Sequence, residues 1–152
     1  MLTKLLPDQI SKFWPVIKYA VEESLPPTTF GEHPDKMNRV LSAALCGKLD
    51  IWASYKHQEN EATKFEGIVV TQLLYDDASG INNLLIYAVY AYENTDNETW
   101  AEGYETLAKY AKSKKCLNLV AYSSVPRIVN IAKRLGADAS FTFISFPIPK
   151  TV

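Results

Sequence analysis

Two apolar segments of the sequence each end in side chains that can transfer protons. Five such side chains stand at these ends: Tyr90, Tyr92, Glu93, Tyr122 and Ser123. A carboxylate can accept a proton in general base catalysis, and a phenol can donate one. One interpretation places all five at the mouth of a cleft. The other makes the tyrosines a half-buried aromatic face, because tyrosine is favoured in β-strands.

Other side chains with reactive potential have simpler interpretations. His33 and His57 have no cysteine or histidine at the spacing of a metal site, so we expect no bound metal. Cys46 and Cys116 lie in apolar stretches and are expected to be buried free thiols. Ser124 follows another serine without the glycines of a nucleophile elbow, so it is better explained as a helix cap than as a nucleophile.

Composition limits the class of protein. The chain has 152 residues, of which 47% are hydrophobic and 22% charged, and its net charge is −1. These values predict one globular domain over residues 1–152 and argue against disorder. The charge disfavours a broad nucleic-acid surface, which would need a positive excess. The apolar runs are too short for a signal peptide or a membrane span, so we expect a cytoplasmic protein that does not bind membranes.

The hydrophobic period changes along the chain from helical to alternating and then switches between the two. It predicts, in order, a helix over 10–25 that is bent or divided at Pro15, a helix over 34–49, strands over 51–57, 66–75 and 83–93, a helix around 100–111, a strand over 116–123, a helix over 124–135 and a strand over 139–148. Asp8 is the expected cap of the first helix, and Thr95 or Asn97 the expected cap of the third.

This order of elements predicts an α/β or α+β domain. Its sheet should be mixed and mostly antiparallel, with about four helices around it. Strands 83–93 and 116–123 should be parallel, because a helix joins them in a right-handed crossover. The apolar helix stripes predict six buried residues: Trp14, Ile17, Leu41, Leu45, Leu107 and Leu135.

Three stretches carry a resemblance to a known family. The stretch LLIYAVYAYE, the helix WAEGYETLAKYAKSKK and the tail AKRLGADASFTFISFPI resemble the central strand, the cofactor helix and the last helix, turn and strand of the GNAT-type N-acetyltransferase superfamily. The resemblance covers nearly the whole chain, and residues 1–5 would be the short first strand of the family. Some small proteins encoded by tailed phages also look similar.

The resemblance implies an acyltransferase that moves an acetyl group from acetyl-CoA to an amine of a small molecule or protein. In the family, the amide arm of the cofactor pairs with an exposed strand edge, and the pyrophosphate meets a glycine-rich helix start. The positions implied to bind the cofactor are Tyr90, Ala91, Tyr92, Asn97, Glu98, Thr99, Trp100, Gly103 and Arg127. Glu93 would be the general base, and Tyr122 the acid that protonates the leaving thiolate.

The sequence departs from the family pattern at two places. Residues 93–105 include five acids and no base, and Gly103 is the only glycine there. The position four residues before Gly136, where members often carry the tyrosine acid, is Ala132. Two alternatives therefore stay open: a GNAT-fold binding or assembly module without a CoA site, and an acyltransferase with another donor such as an aminoacyl carrier. The sequence does not indicate the oligomeric state.

Overall fold

A computed structural model describes residues 1–29, 31, 33–56, 64–92 and 95–151. These residues form ten elements: β1 (Leu2–Lys4), α1 (Pro7–Lys12), α2 (Trp14–Glu23), α3 (Lys36–Leu45), β2 (Asp50–Lys56), β3 (Lys64–Asp76), β4 (Ile81–Ala91), α4 (Asn97–Ser113), β5 (Cys116–Ala121) and α5 (Pro126–Arg134). The strands form one sheet in the order β1-β2-β3-β4-β5. All neighbours are antiparallel except β4 and β5, which are parallel. The predicted mixed sheet and its crossover are confirmed.

The first predicted helix is divided at Phe13. Pro15 lies in the first turn of α2, where its missing N–H costs no helical hydrogen bond. The expected cap Asp8 lies inside the first turn of α1 instead. Leu6 is the cap position, and its backbone N–H donates to Gln9 Oε1 at 2.8 Å.

The sheet buries a core on each face. Ile51, Ala53, Ile68, Val70 and Ala88 pack with α1, α2 and α3, and the intervening side chains Trp52 and Leu84 pack with α4. Successive strand residues point to opposite faces, which explains this division. Tyr110 connects α4 to the sheet, because its hydroxyl donates to Asp50 Oδ2 at 2.8 Å. Burial raises the pKa of Tyr110 to about 12.

The core prediction is confirmed in part. Ile17 and Leu107 are buried, and Trp14 and Leu41 pack against the core with part of their surface exposed. Leu45 and Leu135 were wrongly predicted: Leu45 is the last residue of α3 and is 41% exposed, and Leu135 is the C-terminal cap of α5 and is only half-buried. The thiol prediction fails in the same region: Cys46, which follows Leu45, is exposed.

A bulge in β4 changes which face its tyrosines share. Val70 pairs with Ala88, but the next residue of β3, Thr71, pairs with Ile86, so Tyr87 is an extra residue in β4. An extra residue shifts the alternation of side chains. Tyr87 therefore packs against the same core cluster as Tyr90 and Tyr92. In a regular strand, successive side chains point to opposite faces, so the sequence predicts that Tyr87 lies on the face opposite to Tyr90 and Tyr92. That prediction is wrong.

The last predicted strand, residues 139–148, is not formed. Residues 137–149, which we call the C-terminal tail, contain neither strand nor helix in the structure. The helix before them, α5, has no buried residue. The alternation in the tail is real, but a strand also needs a neighbour for its backbone hydrogen bonds, and the tail has none among the residues that the structure describes.

Candidate functional site

The pairing between β4 and β5 ends before β4 does, and we call the unpaired region beyond it the split. Their pairing runs from Asn82–Cys116 to Ile86–Ala121 and stops there. β4 continues for residues 87–91, of which residues 88–91 stay paired with β3 on the other side. On the β5 side, the N–H and C=O groups of this stretch have no strand partner in the described part of the chain. An extended ligand with amide groups can pair with such an edge as an added strand does.

The tyrosine side chains beside the split pack against α2. The rings of Tyr90 and Tyr92 lie 5.0 Å apart, and the ring of Tyr90 lies 5.9 Å from that of Tyr19. The Tyr92 hydroxyl donates to the carbonyl of Val16 at 3.2 Å. Burial raises the pKa of Tyr92 to about 12, so it stays neutral at physiological pH. The Tyr90 carbonyl points at Gly67 of β3, so it is the backbone of Ala91 that faces the split.

One of the two predicted proton-transfer residues, Tyr122, lies at the end of β5 beside the split. Tyr122 directly follows Ala121, the last residue of β5, and is 41% exposed. Its ring lies 5.8 Å from the ring of Phe143. Glu93 lies outside the described residues, so its side chain is not placed. Ser123 Oγ accepts the Val125 N–H at 3.2 Å ahead of α5, in keeping with a structural role.

An acidic side chain caps the start of α4. Asp96, rather than the expected Thr95 or Asn97, is the cap, and its Oδ1 accepts the Thr99 N–H at 2.8 Å. A pyrophosphate bound at this helix start would need such amides and would meet the charges of Asp96 and Glu98. The described residues at this turn therefore do not fit a pyrophosphate as they stand.

Three further predicted cofactor positions lie on the helices. Gly103 stands within α4, where an added Cβ would meet nothing within 4 Å, so the described part of the chain requires no glycine there. Trp100 Nε1, in the first turn of α4, is buried and has no hydrogen-bond partner among the described residues. An unpaired buried donor costs about 1–3 kcal/mol, which makes it a position where a ligand acceptor would stabilise the site. Arg127 is exposed in the first turn of α5.

A basic cleft, which the sequence did not reveal, lies between α3 and the sheet. It is open, encloses about 320 Å³ and is lined by Thr29, His33, Lys36, Arg39, Val40, Ala43, Lys48, Leu49, Gln72 and Tyr87. Four of these side chains are basic, and none of the described lining residues is acidic. Lys36 is held in place by donating to the Gly31 carbonyl at 2.9 Å. The sequence feature that could have indicated this cleft is the excess of bases over acids at residues 33–48.

Among the described residues, no group of three or more His, Cys, Asp and Glu side chains could hold a metal ion. No helix in the described ranges is long and apolar enough to cross a membrane.

Comparison with known proteins gives a fold but no sequence relative. The sequence matches no protein-family model and no curated protein. A probable acetyltransferase of known structure superimposes with a TM-score of 0.70 at 13% identity, over 98% of each chain. A ribosomal-protein-alanine N-acetyltransferase from Brucella melitensis gives 0.67 at 14% identity, over 97% of this chain and 99% of its own.

A third solved structure is an aminoglycoside acetyltransferase from an uncultured soil metagenomic sample, in complex with sisomicin. It gives a TM-score of 0.68 at 14% identity, over 98% of this chain and 95% of its own. These neighbours are GNAT acetyltransferases, and the match extends over nearly the whole of both chains. The resemblance of the sequence to this superfamily is therefore confirmed at the level of fold.

Proposed function

We propose that this protein, which has the GNAT fold, is an acyltransferase that moves an acetyl group from acetyl-CoA to an amine. The observation that carries the proposal is the split beyond Ile86 and Ala121, where residues 87–91 of β4 offer an unpaired edge. The acetyltransferases among the structural neighbours support the same reaction class. Acetyl-CoA, when bound, supplies an acyl group activated as a thioester.

The residues on the two walls of the split have separate roles in this proposal. The backbone of Ala91, on the open edge of β4, holds the amide arm of the cofactor. The Tyr122 hydroxyl, exposed at the end of β5, donates a proton to the departing thiolate. Glu93 takes a proton from the acceptor amine. In this proposal a phenol and a carboxylate divide the acid and base work between them.

A second function is favoured by the start of α4. Asp96 caps this helix, and Glu98 and Glu102 add like charges, so the turn repels a pyrophosphate instead of binding it. A GNAT-fold module that binds or assembles with another molecule, without a cofactor, accounts for this turn directly. The transferase would need its binding energy from the β4 edge and from groups such as Trp100 Nε1.

Calorimetric titration with acetyl-CoA and CoA distinguishes the two functions. If the protein is a transferase, both ligands bind, and the double variant Glu98→Gln/Glu102→Gln binds more tightly. Removal of like charge near a partly exposed anion is worth on the order of 0.5–1 kcal/mol, or about twofold to fivefold in Kd, and less in high salt. A cofactor-free module binds neither ligand, and its double variant melts slightly lower because acids near the start of α4 complement the helix dipole.

A matched variant controls for net charge. Glu22→Gln/Asp77→Asn also removes two exposed acids, one from α2 and one from the turn after β3. It should leave the Kd for CoA unchanged. Absence of binding by the wild-type protein and by the Glu98/Glu102 variant would refute the acyl-CoA function and leave only the fold.

The basic cleft supports a proposal about the acceptor, which rests on the transferase function. Tyr87 lines this cleft and is also the first residue of β4 beyond the pairing with β5, so the cleft adjoins the split. His33, Lys36, Arg39 and Lys48 make the cleft attractive to anions. We propose that it holds a carboxylate or phosphate group of the acceptor.

Inorganic phosphate and acetate test this binding without any activity assay. In nitrogen-15 NMR spectra, millimolar phosphate or acetate should shift the amide signals of residues 33–48 in a saturable way. Lys36→Gln/Arg39→Gln should weaken that binding at least severalfold, whereas Lys12→Gln/Lys18→Gln, on the exposed sides of α1 and α2, should not. Shifts spread evenly over the surface would contradict the site, and would leave the CoA titration unaffected.

A further inference from the structure

The C-terminal tail exposes a run of large apolar side chains. Five large apolar side chains in it are more than half exposed: Phe141 at 84%, Phe143 at 55%, Ile144 at 70%, Phe146 at 81% and Ile148 at 84%. The largest apolar patch on a typical monomer is about 300–600 Å², and larger patches mark interaction sites. The tail therefore needs a partner surface.

The edge strand β5 is open on the side away from β4. The sheet order places β5 at its end, with β4 on one side and no strand on the other in the part of the chain that the structure describes. Its sequence, CLNLVA, has no charge and no proline, which are the usual protections of an edge. Leu117 on this strand is 70% exposed. Such an edge is a template for another strand.

The tail and the edge of β5 match in length and pattern. Residues 141–146 alternate as a strand does, with Phe141 and Phe143 on one side and Ile144 and Phe146 on the other. They number six, as do the residues of β5. Pro147 then ends the pairing, because it has no N–H to donate. Pairing would satisfy the backbone groups of both segments at once.

The position of the tail in the single chain leaves the edge of β5 open. The Phe143 ring contacts Tyr122, which follows the last residue of β5, so the middle of the tail lies beyond the end of its own β5. We propose that the tail of each copy instead pairs with β5 of a second copy, and that the two copies form a closed twofold dimer. In such an exchange every copy both gives and receives one strand.

The area available is sufficient for a stable dimer. A buried phenylalanine removes about 150–250 Å² from water. The six phenylalanines and four isoleucines of two tails therefore offer on the order of 1,000 Å² or more, before the receiving surfaces of β5 and α5 are added. A specific interface buries about 1,200–2,000 Å² in total.

Sedimentation equilibrium between about 1 and 100 μM is the first test. The wild-type protein should be a dimer, and Ile144→Lys/Phe146→Lys should raise the dissociation constant at least a hundredfold. Leu6→Lys/Tyr75→Lys, which changes two side chains that are each 65% exposed outside the tail, should stay dimeric. A wild-type monomer over this range, or a tail variant that remains as dimeric as the control, would overturn the proposal.

Disulfide trapping identifies which β5 receives the tail and needs no disruptive variant. In a background with Cys46→Ser and Cys116→Ala, one copy carries Asn118→Cys in β5 and a second copy carries Ile144→Cys in the tail. Mild oxidation of the mixture should give a cross-linked pair of chains. If this pair fails to form, and the chain with both substitutions closes only on itself, the tail pairs with its own β5 and the exchange is refuted.

Discussion

Leu107→Ala is expected to lower the free energy of unfolding by roughly 2–5 kcal/mol. Leu107 is only 4% exposed and packs in the cluster that joins α4 to the sheet, together with Trp52 and Leu84. Among the described residues of α4, only Leu107 and Ala111 are buried. The alanine side chain would leave a cavity where α4 has its largest buried contact, and that cavity would add to the lost transfer energy.

Urea denaturation of the variant and of a matched control measures this effect. Leu45→Ala makes the same chemical change on a helix stripe, but Leu45 is 41% exposed. It should cost much less than Leu107→Ala, at most about 1 kcal/mol, because exposed substitutions have small effects. A loss below about 1 kcal/mol for Leu107→Ala would contradict the placement of this face of α4 against the sheet.

These two leucines show how far periodicity predicts burial. Both lie on apolar stripes of period 3.6, and the sequence therefore places both in the core. Leu107 lies in the middle of a helix that crosses the sheet, whereas Leu45 is the last residue of α3. A stripe defines the buried face of a helix, but it does not show where the helix extends past the element on which it packs.

The sequence predicts the sheet more completely than it predicts the site. The crossover between β4 and β5 follows from a general preference for handedness, and it is confirmed. The bulge at Tyr87 could not be predicted, because LLIYAVYAY is apolar on both faces and gives no alternation from which to read a shift. The same bulge decides which side chains face the basic cleft.

The tail and the cleft depend on contacts that no local pattern contains. The tail has the alternation of a strand, but pairing requires an adjacent edge, and the single chain does not bring one to it. The bases of the cleft are local to α3 and its flanking loops, but the opposite wall comes from Gln72 and Tyr87, so the cleft exists only because α3 lies on the sheet. In the same way, the choice of Asp96 over Thr95 as the cap of α4 depends on the local path of the backbone.

Gly67→Ala is expected to cost about 1–3 kcal/mol of stability, the usual range for overpacking. An added Cβ at Gly67 would lie 2.8 Å from the Tyr90 carbonyl oxygen across the β3–β4 ladder. A backbone atom cannot turn away as a side chain can, so β4 itself would have to move. Residues 87–91 form one wall of the split, so the variant should also weaken the binding of acetyl-CoA.

Gly103→Ala is the matched control for this prediction. An added Cβ at Gly103 meets nothing within 4 Å, and the residue lies inside α4. Alanine there should therefore raise the stability by about 0.5–1 kcal/mol, because glycine is costly within a helix. Thermal melts of the two variants should move in opposite directions. Equal shifts in melting temperature would contradict the prediction. They would show that the close approach of Gly67 to the Tyr90 carbonyl does not fix the end of β4.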